Sequence, residues 1–233
     1  MVVKELVSEQ DIMRFLDEAY KKVLDGIPRV SPPVKTFAED YLKKHKTKEE
    51  ACKSMMKNQI IKCTTSGAIA GFGGLITLPV TLPANIANVL YVQMRMIACT
   101  AYMAGYELNS DQTQTFVYAC LAGVAVNQLL KKVGIKIGEK IFDNLIDKIP
   151  GRVLNAINKK VGMRLLTKYG TKGAINLGKL IPGVGAAIGG GLDFFETKII
   201  ANRAYKWFFE NNLEIKDDIE EDIIVEAEAR LDD

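Results

Sequence analysis

The sequence has few of the residues that metal and redox sites need. Among 233 residues there is one histidine, His45, and the four cysteines are spaced by 11, 36 and 21 positions, so no Cys-x-x-Cys pair exists. Zinc sites use closely spaced cysteine and histidine ligands, and dithiol redox sites use Cys-x-x-Cys. We therefore predict that the protein holds no metal and no cofactor. The cysteines are Cys52, Cys63, Cys99 and Cys120.

Secretion signals and strand signals are also missing. The N-terminus has no basic segment followed by an apolar run and a small-residue cleavage site, which favours a reducing cytoplasm. No Asn-Gly or Asp-Gly turn joins two alternating apolar runs, as a β-hairpin would require. Because 48% of the residues are hydrophobic and 25% are charged, the composition is that of a folded protein and excludes a disordered chain.

What is present is helical periodicity along most of the chain. Ser8 is a candidate N-cap for a helix over residues 9–25, Thr47 with Glu50 forms a capping-box pattern, and Ser110 precedes another apolar periodic run. We predict an all-α fold, a single compact multi-helix domain with glycine-rich buried apolar helices. The expected parts are a helical segment at 1–46, a main domain at 47–212 and an acidic helix or tail at 213–233. Further helices are expected to about residue 44, from 83 to 105, from 136 to 149, from 151 to 169, from 184 to 209 and from 216 to 231.

The longest uncharged run covers residues 63–94, and its 32 residues are enough in number to span a bilayer. Four glycines interrupt it, and Pro79 and Pro83 bracket a kinked link, so it divides into two short helices. We expect these helices to be buried in a folded core. A re-entrant or inserting hairpin is the alternative.

Glycines recur four residues apart at 67 and 71, at 134 and 138, and at 185 and 189. This spacing leaves one face of a helix without side chains at these positions, so that another backbone or an apolar ligand can approach closely. Tight packing of helices explains it equally simply. The glycines near residue 185 follow no predicted strand and no Gly-Lys-Ser or Gly-Lys-Thr follows them, which excludes a nucleotide site.

Two glycine-rich blocks carry a resemblance to a known family. Residues 66–84 read SGAIAGFGGLITLPVTLPA and lead through Arg95 to residues 104–106, and residues 181–195 read IPGVGAAIGGGLDFF. In order and spacing these blocks resemble the EcsC family, over roughly residues 50 to 210. The resemblance implies a bacterial, membrane-associated accessory protein and no defined reaction.

Charge is divided unevenly along the chain. The net charge is +3, but residues 210–233 carry eleven acids against two bases, and residues 1–209 carry a net +12. Residues 131–179 contain twelve lysines and arginines against three acids. A basic amphipathic helix suits an anionic membrane surface, although an ordinary helix with a solvated lysine edge has the same pattern. The predicted membrane-surface residues are Lys132, Lys136, Lys140, Lys159 and Lys160.

Other chemistry is poorly supported. No aromatic residues alternate with these lysines for base stacking, so we expect no nucleic-acid partner. His45 lies in a lysine-rich stretch, and the paired carboxylates lie in polar segments, so we expect no enzyme. Arg95 interrupts an uncharged helix and needs a partner if buried. We expect a bridge to Asp193 or Glu196, or contact with a lipid phosphate or carboxylate.

The sequence therefore predicts a non-enzymatic protein that is cytoplasmic and peripherally membrane-associated, and that binds phospholipid or a membrane surface. Two alternative functions remain. In the first, the protein is an accessory factor of a membrane transporter or protease and has a membrane protein as its possible partner. In the second, it is a membrane-inserting, pore-forming effector. Three alternatives remain for the acidic tail: it is a solvated terminal helix, it folds over the basic face as a gate against anionic partners, or it docks a partner protein. The predicted lipid-binding residues are Gly71, Phe72, Leu75, Leu78, Val80, Leu82, Arg95, Val184, Gly185 and Ile188.

Overall fold

The computed structural model describes residues 8–64, 84–135, 146–169 and 189–213. These ranges contain eight α-helices and a short 3-10 helix at Ile146–Lys148, and within them the only β-type pairing is one isolated bridge between Ile27 and Ser31. The predicted all-α fold is confirmed. The helices are α1 (Glu9–Asp25), α2 (Val34–Leu42), α3 (Lys48–Thr64), α4 (Ala84–Ala104), α5 (Asp111–Ala122), α6 (Val126–Lys132), α7 (Gly151–Tyr169) and α8 (Gly189–Phe208).

Three of the predicted helix starts carry side-chain caps. The Asp11 backbone N–H donates to Ser8 Oγ at 3.1 Å, and the Asp11 carboxylate accepts from the Ser8 backbone N–H at 2.9 Å, so α1 begins with a complete capping box. Ser110 Oγ accepts from the backbone N–H of the third residue of α5, and Thr47 Oγ1 accepts from the backbone N–H of Glu50, each at 3.1 Å. These bonds satisfy backbone donors that a helix start leaves unpaired.

Helix α4 is the centre of the fold. It packs against α1, α2, α3, α5 and α8, and its side chains from Val89 to Ala101 are buried on almost every side. A helix enclosed in this way has to be apolar all round. This accounts for the low charge of its sequence, in which Arg95 is the one charged residue.

Helices α4 and α8 run in the same direction. Gln93 Nε2 donates to Thr197 Oγ1 at 3.1 Å, and both residues lie about nine positions from the start of their helices. Beyond the other ends, the rings of Tyr106 and Phe208 meet edge to face at 5.2 Å. The N-termini of α4 and α8 therefore lie at the same end of the fold.

Helices α3 and α7 run in the opposite direction to this pair. Cys52 Sγ, near the start of α3, contacts Thr100 Oγ1, near the end of α4, at 3.7 Å. Lys168 and Tyr169 at the end of α7 contact Glu196, which lies in the second turn of α8. The C-termini of α3 and α7 therefore lie at the same end of the fold as the N-termini of α4 and α8.

Hydropathy alone does not make any of these helices a membrane span. Within the described ranges, none combines the length and the apolar content needed to cross a lipid bilayer.

Candidate functional site

The two predicted lipid-binding segments are joined to one end of the fold. Residues 65–83 connect α3 to α4 and residues 170–188 connect α7 to α8, so all four helix boundaries that flank them are at the common end established above. We call it the glycine-segment end. The predicted residues within these connections lie outside the described residues, and they are Gly71, Phe72, Leu75, Leu78, Val80, Leu82, Val184, Gly185 and Ile188.

Buried polar side chains lie between the helices near this end. Gln59 is 2% exposed and Gln93 is fully buried, and Gln59 Nε2 and Gln93 Oε1 have no hydrogen-bond partner among the described residues. Gln59 lies seven residues after Cys52 on α3, and Gln93 lies seven residues before Thr100 on α4. Because these helices are antiparallel, both glutamines are about 10 Å along the axis from the Cys52–Thr100 contact, and so at the same level.

Arg95 lies on the opposite face of α4 from Gln93. It is 5% exposed, its Nη2 donates to the carbonyl of Pro32 at 3.1 Å, and its guanidinium carbon lies 4.0 Å from the ring centroid of Phe37. Burial lowers the pKa of the Arg95 guanidinium, because desolvation penalises its charged form. Its Nε is buried and has no hydrogen-bond partner among the described residues.

The expected bridge from Arg95 to Glu196 is wrong. Glu196 Oε1 instead accepts from Lys168 at 2.6 Å and from the Tyr169 hydroxyl at 3.0 Å. The side chain of Asp193, the other expected partner, lies outside the described residues. No described carboxylate is within ion-pair distance of Arg95, and its described contacts are the ring face of Phe37 and the carbonyl of Pro32.

The structure describes three of the five predicted membrane-surface lysines. Lys132 is exposed at the end of α6, and Lys159 and Lys160 are exposed on α7, whereas Lys136 and Lys140 lie outside the described residues. The opposite side of α7 buries a row of aliphatic side chains in the core. They are Val153, Leu154, Ile157, Val161 and Leu165.

A second group of cations was not among the predicted residues. Arg164 and Lys168 follow Lys160 at intervals of four on α7, and Arg203 faces α7 and α5 from α8. Arg203 is 7% exposed, and its Nη1 donates to the carbonyl of Cys120 at 2.6 Å, in the last turn of α5. The four-residue spacing on α7 was the sequence signal for the first two, while the burial of Arg203 depends on tertiary packing.

The buried thiols are poor candidates for nucleophiles. Burial raises the pKa of Cys52 to about 12 and that of Cys120 to about 12, so at neutral pH both remain protonated. Cys99 is also buried, and its pKa is raised for the same reason. In the part of the chain that the structure describes, no three histidine, cysteine, aspartate or glutamate residues come together as a metal site would require.

These features define a helical protein with buried arginines on two core helices and with two glycine-rich connections at one end. The chain belongs to the EcsC protein family, which it matches over residues 11–208. The match begins inside α1, so it includes the two N-terminal helices. No curated protein and no solved structure matches the chain significantly.

Proposed function

We propose that this protein binds phospholipid or a membrane surface, without catalysis, through its two glycine-rich segments. One observation carries the proposal: both segments are attached at the glycine-segment end, so their apolar residues are available to a single ligand or surface. If the two segments had been attached at opposite ends of the fold, they would have required two independent binding sites. Two apolar segments attached at one end of a fold can serve one lipid ligand or one membrane surface.

Charge near this end supports an anionic target. The last two turns of α3 and α7 carry Lys57, Lys62, Arg164 and Lys168, and the first two turns of α8 carry two acids, Asp193 and Glu196. Glu9 and Asp11 at the start of α1 oppose this charge in part. Each lysine or arginine close to an anionic membrane adds on the order of 1 kcal/mol of attraction.

The proposal is tested on the full chain purified without detergent. Native mass spectrometry is expected to show co-purifying phospholipid, and flotation is expected to show binding to vesicles of phosphatidylcholine with phosphatidylglycerol. Protein free of lipid that also fails to float with these vesicles would refute the proposal. Release of a trapped dye from the vesicles would favour the pore-forming alternative instead.

The accessory-factor alternative makes a different prediction. If the apolar segments serve only the core or a protein interface, vesicles have no effect on the protein and a membrane-protein partner is required for membrane recruitment. Flotation with protein-free vesicles separates these two cases directly.

A further inference from the structure

The C-terminal half of α7 and the part of α8 from Glu196 to Arg203 carry a basic cluster. We define this α7–α8 cluster as Arg164, Lys168 and Arg203, together with Glu196. Arg164 is exposed, Lys168 is partly exposed, and Arg203 is buried behind them. Lys168 contacts Glu196, and Arg164 lies one turn before Lys168 on α7. Arg203, two turns after Glu196 on α8, bonds to the end of α5, which packs against α7.

One carboxylate cannot neutralise three cations. Glu196 Oε1 already accepts from Lys168 and from the Tyr169 hydroxyl. Neither arginine has an ion pair to a described carboxylate, so the cluster keeps a net charge of +2. An uncompensated excess of this kind favours an anion from solution.

Arg203, the buried arginine, gives the cluster a positive charge in a fixed position. Arg203 is held by its bond to the Cys120 carbonyl, which belongs to the last turn of α5. Burial lowers the pKa of Arg203 and the positive charge of Arg164 lowers it further, while interactions with Cys120 and Glu196 raise it in part. Two guanidiniums that repel each other are both stabilised when an anion lies beside them.

The donors that remain match a phosphate group. Arg164 has a planar guanidinium exposed to solvent, and the Lys168 ammonium has three N–H donors, of which Glu196 takes one. Guanidinium and ammonium groups presented together are the usual partners of phosphate oxygens. Lys168 lies one residue before the end of α7, where residues 170–188 begin, so this side of the cluster is next in the chain to one of the two segments proposed to bind lipid.

We propose that the α7–α8 cluster is a phosphate-binding site in which Arg164 and Lys168 contact the phosphate and Arg203 supplies positive charge beneath it. This inference rests on the proposed function, since it identifies the lipid group that the basic surface recognises. A free phosphate ion offers the same chemistry, so the test has to separate the two sources.

The experiment compares two double variants of the full chain. The test variant is Arg164→Gln with Lys168→Gln, and the matched control is Lys43→Gln with Lys44→Gln, which removes the same charge from exposed positions near the start of α3, at the opposite end of the fold. Binding is measured by flotation with vesicles of phosphatidylcholine and phosphatidylglycerol. It is repeated with vesicles whose anionic component is a fatty acid, at equal surface charge. Inorganic phosphate alone is titrated by calorimetry.

The test variant is expected to bind the phosphatidylglycerol vesicles about tenfold more weakly than the wild type, and the control variant is expected to change little. The fatty-acid vesicles should show a smaller difference between the variants. Saturable binding of inorganic phosphate to the wild type, and not to the test variant, would identify free phosphate as a ligand in its own right. Equal losses in the two variants would overturn the site while leaving the proposed function intact. A wild type that binds neither kind of vesicle would instead refute the proposed function.

Discussion

The side-chain amide of Gln93 donates to the hydroxyl oxygen of Thr197 across 3.1 Å, and both residues are completely buried. This contact joins α4 to α8 about nine residues after the helix starts that follow the glycine-rich segments. It holds the two helices side by side in the core. A change in this contact is therefore expected to alter both the stability of the core and the placement of the two segments.

Replacing Thr197 with valine tests the contact. The substitution removes the acceptor and leaves the buried amide of Gln93 unsatisfied, so we expect a loss of about 1–3 kcal/mol in the free energy of unfolding. Combining it with Gln93→Leu should cost less than the sum of the two single variants. Urea unfolding of the four proteins gives the coupling energy, and strict additivity would show that the pair does not interact.

Substitutions of Arg95 can distinguish a role of this residue in stability from a role in lipid binding. Its methylene chain fills space in the core, but its charge has no carboxylate partner among the described residues. Arg95→Met keeps most of that volume and removes the buried charge, so we expect unfolding free energy within about 1 kcal/mol of wild type. Arg95→Ala should be clearly less stable, because it leaves a cavity beside Phe37.

The same Arg95→Met variant is expected to bind anionic vesicles less well if the guanidinium meets a lipid phosphate or carboxylate. Circular dichroism and urea unfolding measure the stability, and flotation measures the binding. A methionine variant that is strongly destabilised, or one that binds as wild type does, would assign Arg95 a purely structural role.

Gly26 occupies a position that tolerates no side chain. Its φ of 79° and ψ of 174° lie in a region that is essentially restricted to glycine, and an added Cβ would lie 2.6 Å from the backbone nitrogen of Pro33. We expect Gly26→Ala to cost about 2–4 kcal/mol, from backbone strain together with steric overlap. The control is Gly151→Ala, because nothing lies within 4 Å of that added Cβ. Similar thermal unfolding of the two variants would contradict the structure of this turn.

The acidic tail provides a prediction that depends on charge alone. Deleting residues 214–233 removes ten acids and two bases and leaves Leu213, which is buried in the core. If the tail competes with anionic partners for the basic face, flotation with anionic vesicles should increase several-fold at low salt, and the difference should shrink as salt screens it. Unchanged binding at moderate ionic strength would exclude the gate.

Local signals in the sequence were sufficient to predict much of the fold. The N-cap candidate Ser8 and the apolar repeat after it predicted the observed limits of α1, 9–25, and the predicted range of 151–169 is the range of α7. Long-range contacts were not predictable in this way. Arg95 donates to the carbonyl of Pro32, 63 positions away, because α2 and the turn before it pack over α4.

The candidate site shows the same difference between local signals, which the sequence contains, and long-range contacts, which it does not. Lys159 and Lys160 are exposed on α7 beside its buried aliphatic row, as helical periodicity predicts. Lys132 is exposed too, but it is the last residue of α6, so its exposure does not come from a longer basic helix. The meeting of Lys168 with Glu196 depends on how α7 and α8 cross, and no periodicity in either helix contains that information.

Site-specific fluorescence tests the central claim most directly. Cysteines introduced as Phe72→Cys and Val184→Cys, one in each glycine-rich segment, are labelled with a polarity-sensitive dye, while the native Cys52, Cys99 and Cys120 react slowly because burial raises the pKa of each thiol. Lys44→Cys is the control at an exposed site. With phosphatidylcholine–phosphatidylglycerol vesicles, we predict a blue shift and brighter emission at both 72 and 184 and no change at 44. Unchanged spectra at both segment positions, with the labelled proteins still folded, would contradict the account.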